Sequence, residues 1–277
     1  MKTYRIIRDS EYPAPQGLAI DEALLKSVDR GLEPDTIRFY YFSPPAVVVG
    51  LNQDVTSVNL EYIRKKQMSF GRRLTGGGAI IIGCPNYSSQ MGISFLIKLD
   101  SDIPSKLSHK FKHFSWIILD VLKNLGLQPK YNKNSDITIK EKKIVGNGIY
   151  MAENALLFHS IILFDYDFDV MLNVLNLGND ISKEVLKEKM KNTITTLNQE
   201  KNQIVSPKIV EDEIVKTIKT AWEGEILEKQ LSGWEKTTAD KLLQEKYSTN
   251  EWNFQSLDNE GLMGACFVPS DSNTDGE

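Results

Sequence analysis

Apolar residues in the first half of the chain bunch into short β-branched and aromatic runs broken by Gly and Pro, a strand signature. Thr3–Ile7 predicts a short strand, followed by a turn region holding Pro13, Pro15 and Gly17. Leu18, Leu24, Leu25 and Val28 then mark one face of a helix ending near Gly31. Thr36–Tyr41 and Ala46–Val49 read as a hairpin around Ser43-Pro44-Pro45. A helix over Leu60–Lys66 leads into a strand at Ser69–Leu74. Ala79–Ile82 and Gly92–Ile97 are two more strands, joined by the loop Gly83–Gln90.

The period changes at Ser105–Leu125. There Leu107, Phe111, Phe114, Ile118, Val121, Leu122 and Leu125 recur at helical spacing, and Gly126 ends the run. Asp136–Ile139, Lys143–Val145 and Leu156–Phe164 return to strand character. Beyond Asp165 helices dominate: Ser182–Met190, a helix opened by Ser206-Pro207, and Thr238–Tyr247. Strands and helices come in runs rather than in strict alternation, which favours α+β over a doubly wound sheet. The pattern predicts one catalytic domain over residues 1–255 and a loosely ordered polar tail over 256–277, interrupted by the apolar Leu262–Val268.

Composition narrows the function classes. The 277 residues are 41% hydrophobic and 25% charged, so a sizeable core is available. A balance of 33 Lys and Arg against 37 Asp and Glu argues against nucleic acid or an anionic membrane as the main partner. Two cysteines, Cys84 and Cys266, make no disulfide framework, and three histidines leave no metal-ligand spacing, so no metal site is expected. No signal-peptide or membrane-spanning stretch is present, and the expected location is the cytoplasm.

The most informative stretch is Arg72-Arg73-Leu74-Thr75-Gly76-Gly77-Gly78-Ala79. Three glycines let a backbone approach another molecule closely, and two arginines supply permanently charged donors for phosphate or carboxylate. It is neither a P-loop nor a dinucleotide fingerprint. Lys143-Ile144-Val145-Gly146-Asn147-Gly148 places a lysine at the entry of a glycine-punctuated strand, where it can face an anion or a polarised carbonyl. Taken alone, His159 inside an apolar strand reads as a packed structural residue, and Cys84 as a small loop residue. Asp21-Glu22 read as structural carboxylates in a helix's opening turn.

In combination these stretches resemble the lipoate–protein ligase A family, within the biotin/lipoate ligase and octanoyltransferase group. The resemblance rests on Leu18-Ala19-Ile20-Asp21-Glu22-Ala23, Val48-Val49-Gly50 with Asn52-Gln53, the Arg72–Ala79 stretch and Ser135-Asp136-Ile137. It continues through Lys143–Asn147, His159 before Leu163-Phe164-Asp165, and Lys246-Tyr247 ahead of Glu251-Trp252-Asn253. It implies a curved mixed β-sheet flanked by helices. The reaction it implies has two steps: lipoate attacks the α-phosphate of Mg2+-bound ATP, and a lysine of an apo lipoyl carrier domain then attacks the lipoyl-adenylate. Lys143 matches the essential lysine. Arg73, Thr75, Gly76, Gly77 and Gly78, the backbone of Ala79, Ile80 and Ile81, and Asp136 match nucleotide and lipoyl-AMP positions. Val49, Gln53 and His159 match the acyl pocket.

The chain departs from this pattern at Ile82–Asn86, where a His-Asp pair is usual, at Ser135 in place of Asn and at Gly148 in place of Ala. Many such ligases carry a further C-terminal domain, which residues 255–277 are too few to form. The resemblance therefore implies either a separate small accessory polypeptide or a domain adapted to work alone. Two alternatives stay open. One is a cysteine-dependent octanoyl or lipoyl transferase, although Val121–Phe168 holds no cysteine and Cys84 would have to serve. The other is a non-catalytic relative that only binds lipoyl groups or carriers.

Overall fold

A computed structural model describes residues 2–83, 90–100, 102–132, 135–176 and 182–255. The first strand, β1 (Thr3–Tyr12), runs almost directly into helix α1 (Ala14–Asp29). The Pro13–Gly17 segment is therefore a helix start rather than a turn. Pro15 lies in the first turn, where its missing N–H has no intrahelical acceptor to satisfy. Gly17 lies inside the helix because the Phe42 ring occupies the space a side chain would need.

β2 (Asp35–Phe42) and β3 (Ala46–Val49) do not form the expected hairpin. β3 pairs instead in parallel with β4 (Ser69–Arg72) and antiparallel with β5 (Ile80–Ile82), after the short helix α2 (Leu60–Lys65). Pro44 and Pro45 have no N–H to give to a ladder, and the chain leaves one sheet for another at this point. β5 and β6 (Gln90–Lys98) likewise belong to different sheets.

α3 (Leu107–Asn124) follows the predicted spacing closely: Phe114, Ile118, Val121 and Leu122 are fully buried, and Gly126 ends the helix at φ +81°. Four strands follow: β7 (Lys130–Tyr131), β8 (Ile137–Ile139), β9 (Lys142–Met151) and β10 (Ala155–Leu163). The C-terminal third adds α4 (Phe168–Val174), α5 (Lys183–Thr193), α6 (Leu197–Lys201), α7 (Pro207–Ala221), β11 (Glu225–Glu228), α8 (Gly233–Leu242) and α9 (Asn250–Asn253). α8 starts five residues before the predicted Thr238, because Ser232 and Glu235 form a reciprocal capping box.

The eight-stranded mixed sheet has the order β11-β1-β2-β6-β10-β9-β8-β7, and the small sheet the order β4-β3-β5. One face of the large sheet packs on α3, α6 and α7 through Phe39, Phe95, Phe114, Phe158, Leu197 and Ile214. Its other face meets α1, α8 and the small sheet. The far side of the small sheet is closed by α2 and α4. Each fully buried aliphatic or Phe side chain contributes about 1.5–3 kcal/mol, which makes the large sheet a rigid platform between two helical layers. Asp21 and Glu22 lie in the middle of α1, not in its opening turn. Asp21 pairs with buried Arg38 and accepts from Ser94, while Glu22 pairs with Lys26 and Lys246 and accepts from the Tyr247 hydroxyl.

Candidate active site

β8 and β9 form a tight hairpin whose turn residues, Lys140 and Glu141, both take positive φ (49° and 65°). The register runs Ile139↔Lys142 and Thr138↔Lys143, then shifts to Ile137↔Val145. Ile144 is thus an extra residue on β9, and both Ile144 and Val145 are buried. The Lys143 backbone is held at its carbonyl, which accepts from Thr195 N at 2.9 Å. Its amine reaches Asp136 Oδ1 at 2.8 Å, with 30% of the lysine side chain exposed. Asp136 is itself placed by Asn132, whose Oδ1 accepts the Asp136 N–H at 2.9 Å.

Beyond the bulge, β9 alternates cleanly. Asn147 points toward α3, donating to Ser115 Oγ and the Ser135 carbonyl and accepting from Ser160 Oγ. Gly146 and Gly148 point the other way, under the small sheet. A methyl group on Gly146 would sit 3.0 Å from Lys143 Cε and 3.2 Å from Nζ. One on Gly148 would collide with His159 Nε2 and lie 2.9 Å from Thr75 Oγ1. Two residues along a strand span about 7 Å, so the Lys143 amine and the Thr75–His159 pair stand at either end of one strip of bare backbone.

Cross-strand register extends this strip into two rows. One row runs Gly148, His159, Ser94, Arg38 and is polar. The next runs Gly146, Ile161, Gly92, Tyr40, with the Tyr40 ring occupying the space above Gly92. Ser94, Gly92 and Tyr40 were not singled out from the sequence. The one available signal was the small residue at every second position of Gly92-Ile93-Ser94, since a strand under a close-packed neighbour keeps one face small.

The glycine run overhangs this face. Gly76 and Gly77 are exposed, and Gly78, Ala79 and Ile80 half-buried. Gly77 takes φ +95°, and its carbonyl packs so tightly on Gly50 that no side chain fits at position 50. Arg73 lies beneath, 6% exposed. Its Nε donates to Thr75 Oγ1 at 3.1 Å, and its terminal nitrogens donate to the carbonyls of Val48 (3.1 Å), Gly76 (2.7 Å) and Gly78 (2.9 Å). All four acceptors are neutral. Burial lowers the Arg73 pKa to about 10, which leaves it a cation at neutral pH. His159 Nε2 shares a 2.9 Å hydrogen bond with Thr75 Oγ1. Burial, with Arg73 adding a like charge, pushes its pKa down to about 3, so the imidazole is neutral.

Other predicted site residues are placed differently. Arg72 makes no anion site: its guanidinium donates to the carbonyls of Gly50, Leu51, Gln53, Trp252 and Asn253. Gln53 is committed to its own turn, accepting from Gly50 N and donating to Ser57 Oγ. Val49 and Ile81 face the α2–α4 layer, packed among Val55, Val58 and Met171. The alternation of β3 and β5 instead turns Val48, Ile80 and Ile82 toward the large sheet and Ile161. Cys84, most of the loop after Gly83, and Cys266 fall outside the described residues. Among the described residues no group of three or more His, Cys, Asp or Glu side chains could hold a metal ion, and no helix is long and apolar enough to cross a membrane.

The chain is 25% identical to an octanoyltransferase LipM of Halalkalibacterium halodurans, over 92% of this chain and 100% of that protein. It is 26% identical to lipoate–protein ligase 1 of Staphylococcus aureus, over 86% of this chain and 69% of that one. Among solved structures, a chain of a bi-partite lipoate protein ligase from Thermoplasma acidophilum superposes with a TM-score of 0.82 at 24% identity, covering 95% of this chain and 100% of that one. A lipoate-protein ligase A bound with ATP gives a TM-score of 0.77 at 24% identity, covering 92% and 99%. The family model for the lipoyl protein ligase A/B catalytic domain matches residues 13–219, three quarters of the sequence, and the chain belongs to that family.

Proposed function

We propose that the protein is an ATP-dependent lipoate–protein ligase. The observation that carries this reading is the buried Arg73 guanidinium, held among the described residues by neutral acceptors alone, on the same platform as the Lys143 amine. A buried cation without a carboxylate partner favours an anion beside it, and Arg73 together with Lys143, a partly exposed cation paired with Asp136, suits an acyl phosphate. In the first step a lipoate carboxylate oxygen attacks the α-phosphorus of ATP, the bond to the bridging oxygen breaks and pyrophosphate leaves. In the second, the carrier lysine's amine attacks the acyl carbon, AMP leaves with the electron pair and the amine loses a proton. Lys143 stabilises the charge that builds on the phosphoryl and carbonyl oxygens in both steps. Asp136 aims the Lys143 amine, and the backbone from Gly76 to Ile80 borders the nucleotide. The acyl chain lies along Val48, Ile80 and Ile161. Magnesium enters as part of the nucleotide substrate, bound through the ATP phosphates.

A second reading, acyl transfer through a cysteine thioester, is favoured by the full-length similarity to octanoyltransferases. Against it stands the thiol inventory: no cysteine lies between Cys84 and Cys266, so neither β9 nor β10 carries one. Lipoate-dependent exchange of labelled pyrophosphate into ATP separates the two. The ligase reading predicts exchange that needs lipoate and Mg2+. Absence of exchange, together with ATP-free acyl transfer from an octanoylated carrier, would establish the transferase. Transfer from pre-formed lipoyl-adenylate without exchange would mean that a second polypeptide completes the first step.

A further inference from the structure

The hydrogen bonds beneath the glycine run form a chain that crosses from one sheet to the other. Arg73 belongs to the segment leaving the small sheet, Thr75 begins the glycine run, and His159 belongs to β10 of the large sheet. Arg73 Nε–H donates to Thr75 Oγ1 at 3.1 Å, and Thr75 Oγ1 meets His159 Nε2 at 2.9 Å. All three side chains are buried, at 6%, 1% and 8% exposure. Gly148 is directly opposite His159 in the ladder, and its missing side chain is the space that the imidazole and the hydroxyl share.

From this geometry we infer that Gly148, Thr75 and His159 are positioning residues for Arg73. The bare backbone at 148 admits the imidazole, the imidazole fixes the hydroxyl, and the hydroxyl fixes the guanidinium. The inference rests on the ligase reading only in giving Arg73 an anion to hold. Its structural basis is independent of the reaction. Among the described residues Arg73 has no carboxylate to orient it, so its direction depends on neutral acceptors, and the Nε bond is the one made by a side chain. His159 suits this role because it stays neutral in its buried place and so does not repel the guanidinium. Thr75 and His159 thereby act through Arg73 rather than on substrate.

The test combines three variants with two readouts. Thr75→Val keeps the volume and removes the hydroxyl, Thr75→Ser keeps the hydroxyl, and Gly148→Ala fills the shared space. The first readout is the Arg73 Nε–H resonance and its solvent exchange, assigned by its loss in Arg73→Lys. We expect a slowly exchanging signal in the wild type, lost or at least tenfold faster in T75V and G148A and restored in T75S. The second readout is KM for ATP in the lipoate exchange assay. Loss of one hydrogen bond to a charged group predicts a rise of roughly tenfold in T75V and in G148A, with kcat changing less. Since both variants break one chain, the double variant should be no worse than the weaker single. Unchanged Arg73 exchange in T75V would overturn the inference, whatever the fate of G148A. So would additive KM effects in folded variants. A wild type with neither lipoate-dependent exchange nor transfer from lipoyl-adenylate would defeat the ligase reading, while the Arg73 resonance would still decide this one.

Discussion

At the scale of single residues, the proposed site rests on two cations with different supports. Lys143 is partly exposed and paired with Asp136, so it contributes charge rather than packing. Lys143→Ala should lower adenylate formation about 10²–10³-fold while leaving the unfolding midpoint within a few degrees of wild type. Near-normal turnover in the folded variant would remove Lys143 from the site. His159 predicts a pH dependence of stability. Its folded pKa, near 3, lies below the ordinary 6.5, so on acidification the unfolded state takes up a proton that the folded state refuses. Stability is lost as pH falls from about 6.5 toward 3, by up to about 1.4 kcal/mol per unit. Urea unfolding at several pH values should show a steeper loss in the wild type than in His159→Gln, and equal slopes would contradict the buried neutral imidazole. Lys143, Arg73 and Thr75 stood out in the sequence as candidates because glycines mark them. Gly148 was visible only as a substitution, since its steric meaning appears once His159 is opposite it.

At the scale of elements, Arg72 ties three segments together. It sits on β4, its guanidinium holds the Gly50–Gln53 turn and the carbonyls of Trp252 and Asn253, and Trp252 Nε1 donates back to the Arg72 carbonyl at 2.9 Å. Lys246 lies 4.1 Å from the centre of the Trp252 ring and pairs with Glu22 on α1. The C-terminal elements thus brace the strand that leads into Arg73. Arg72→Met should cost at least about 2–3 kcal/mol, because it leaves several buried carbonyls without donors. Hydrogen exchange should show residues 250–255 losing protection first, and a uniform loss across the molecule would speak against a local brace. Lys142→Ala should be nearly silent in activity. Its amine caps the α5 carbonyl of Lys191 at 2.8 Å, a contact of about 1 kcal/mol or less. Sequence periodicity located α3 well because its apolar stripe is long. It joined β2 to β3 wrongly because short strands with a Pro-rich connection look alike whether they pair or change sheets.

At the scale of the whole molecule, the site exists where two sheets face each other, and neither sheet's sequence shows that meeting. The mixed α+β class followed from composition and element order, and the family from motifs in fixed sequence order. The strand register that lines up Gly146 and Gly148 with Ile161, His159, Gly92 and Ser94 did not, because period-two alternation fixes faces but not partners. In the ligase reading proposed above, that register supplies the platform on which Lys143 and Arg73 act without a thiol. The most direct measurement of this claim uses a Cys84→Ser, Cys266→Ser double variant, incubated with lipoate, Mg2+-ATP and an apo lipoyl domain while the domain's mass is followed. The account predicts that the domain gains one lipoyl group at close to the wild-type rate, and that adding Lys143→Ala abolishes the gain. No gain from lipoate and ATP, with ATP-free octanoyl transfer by the wild type that the double variant loses, would contradict it.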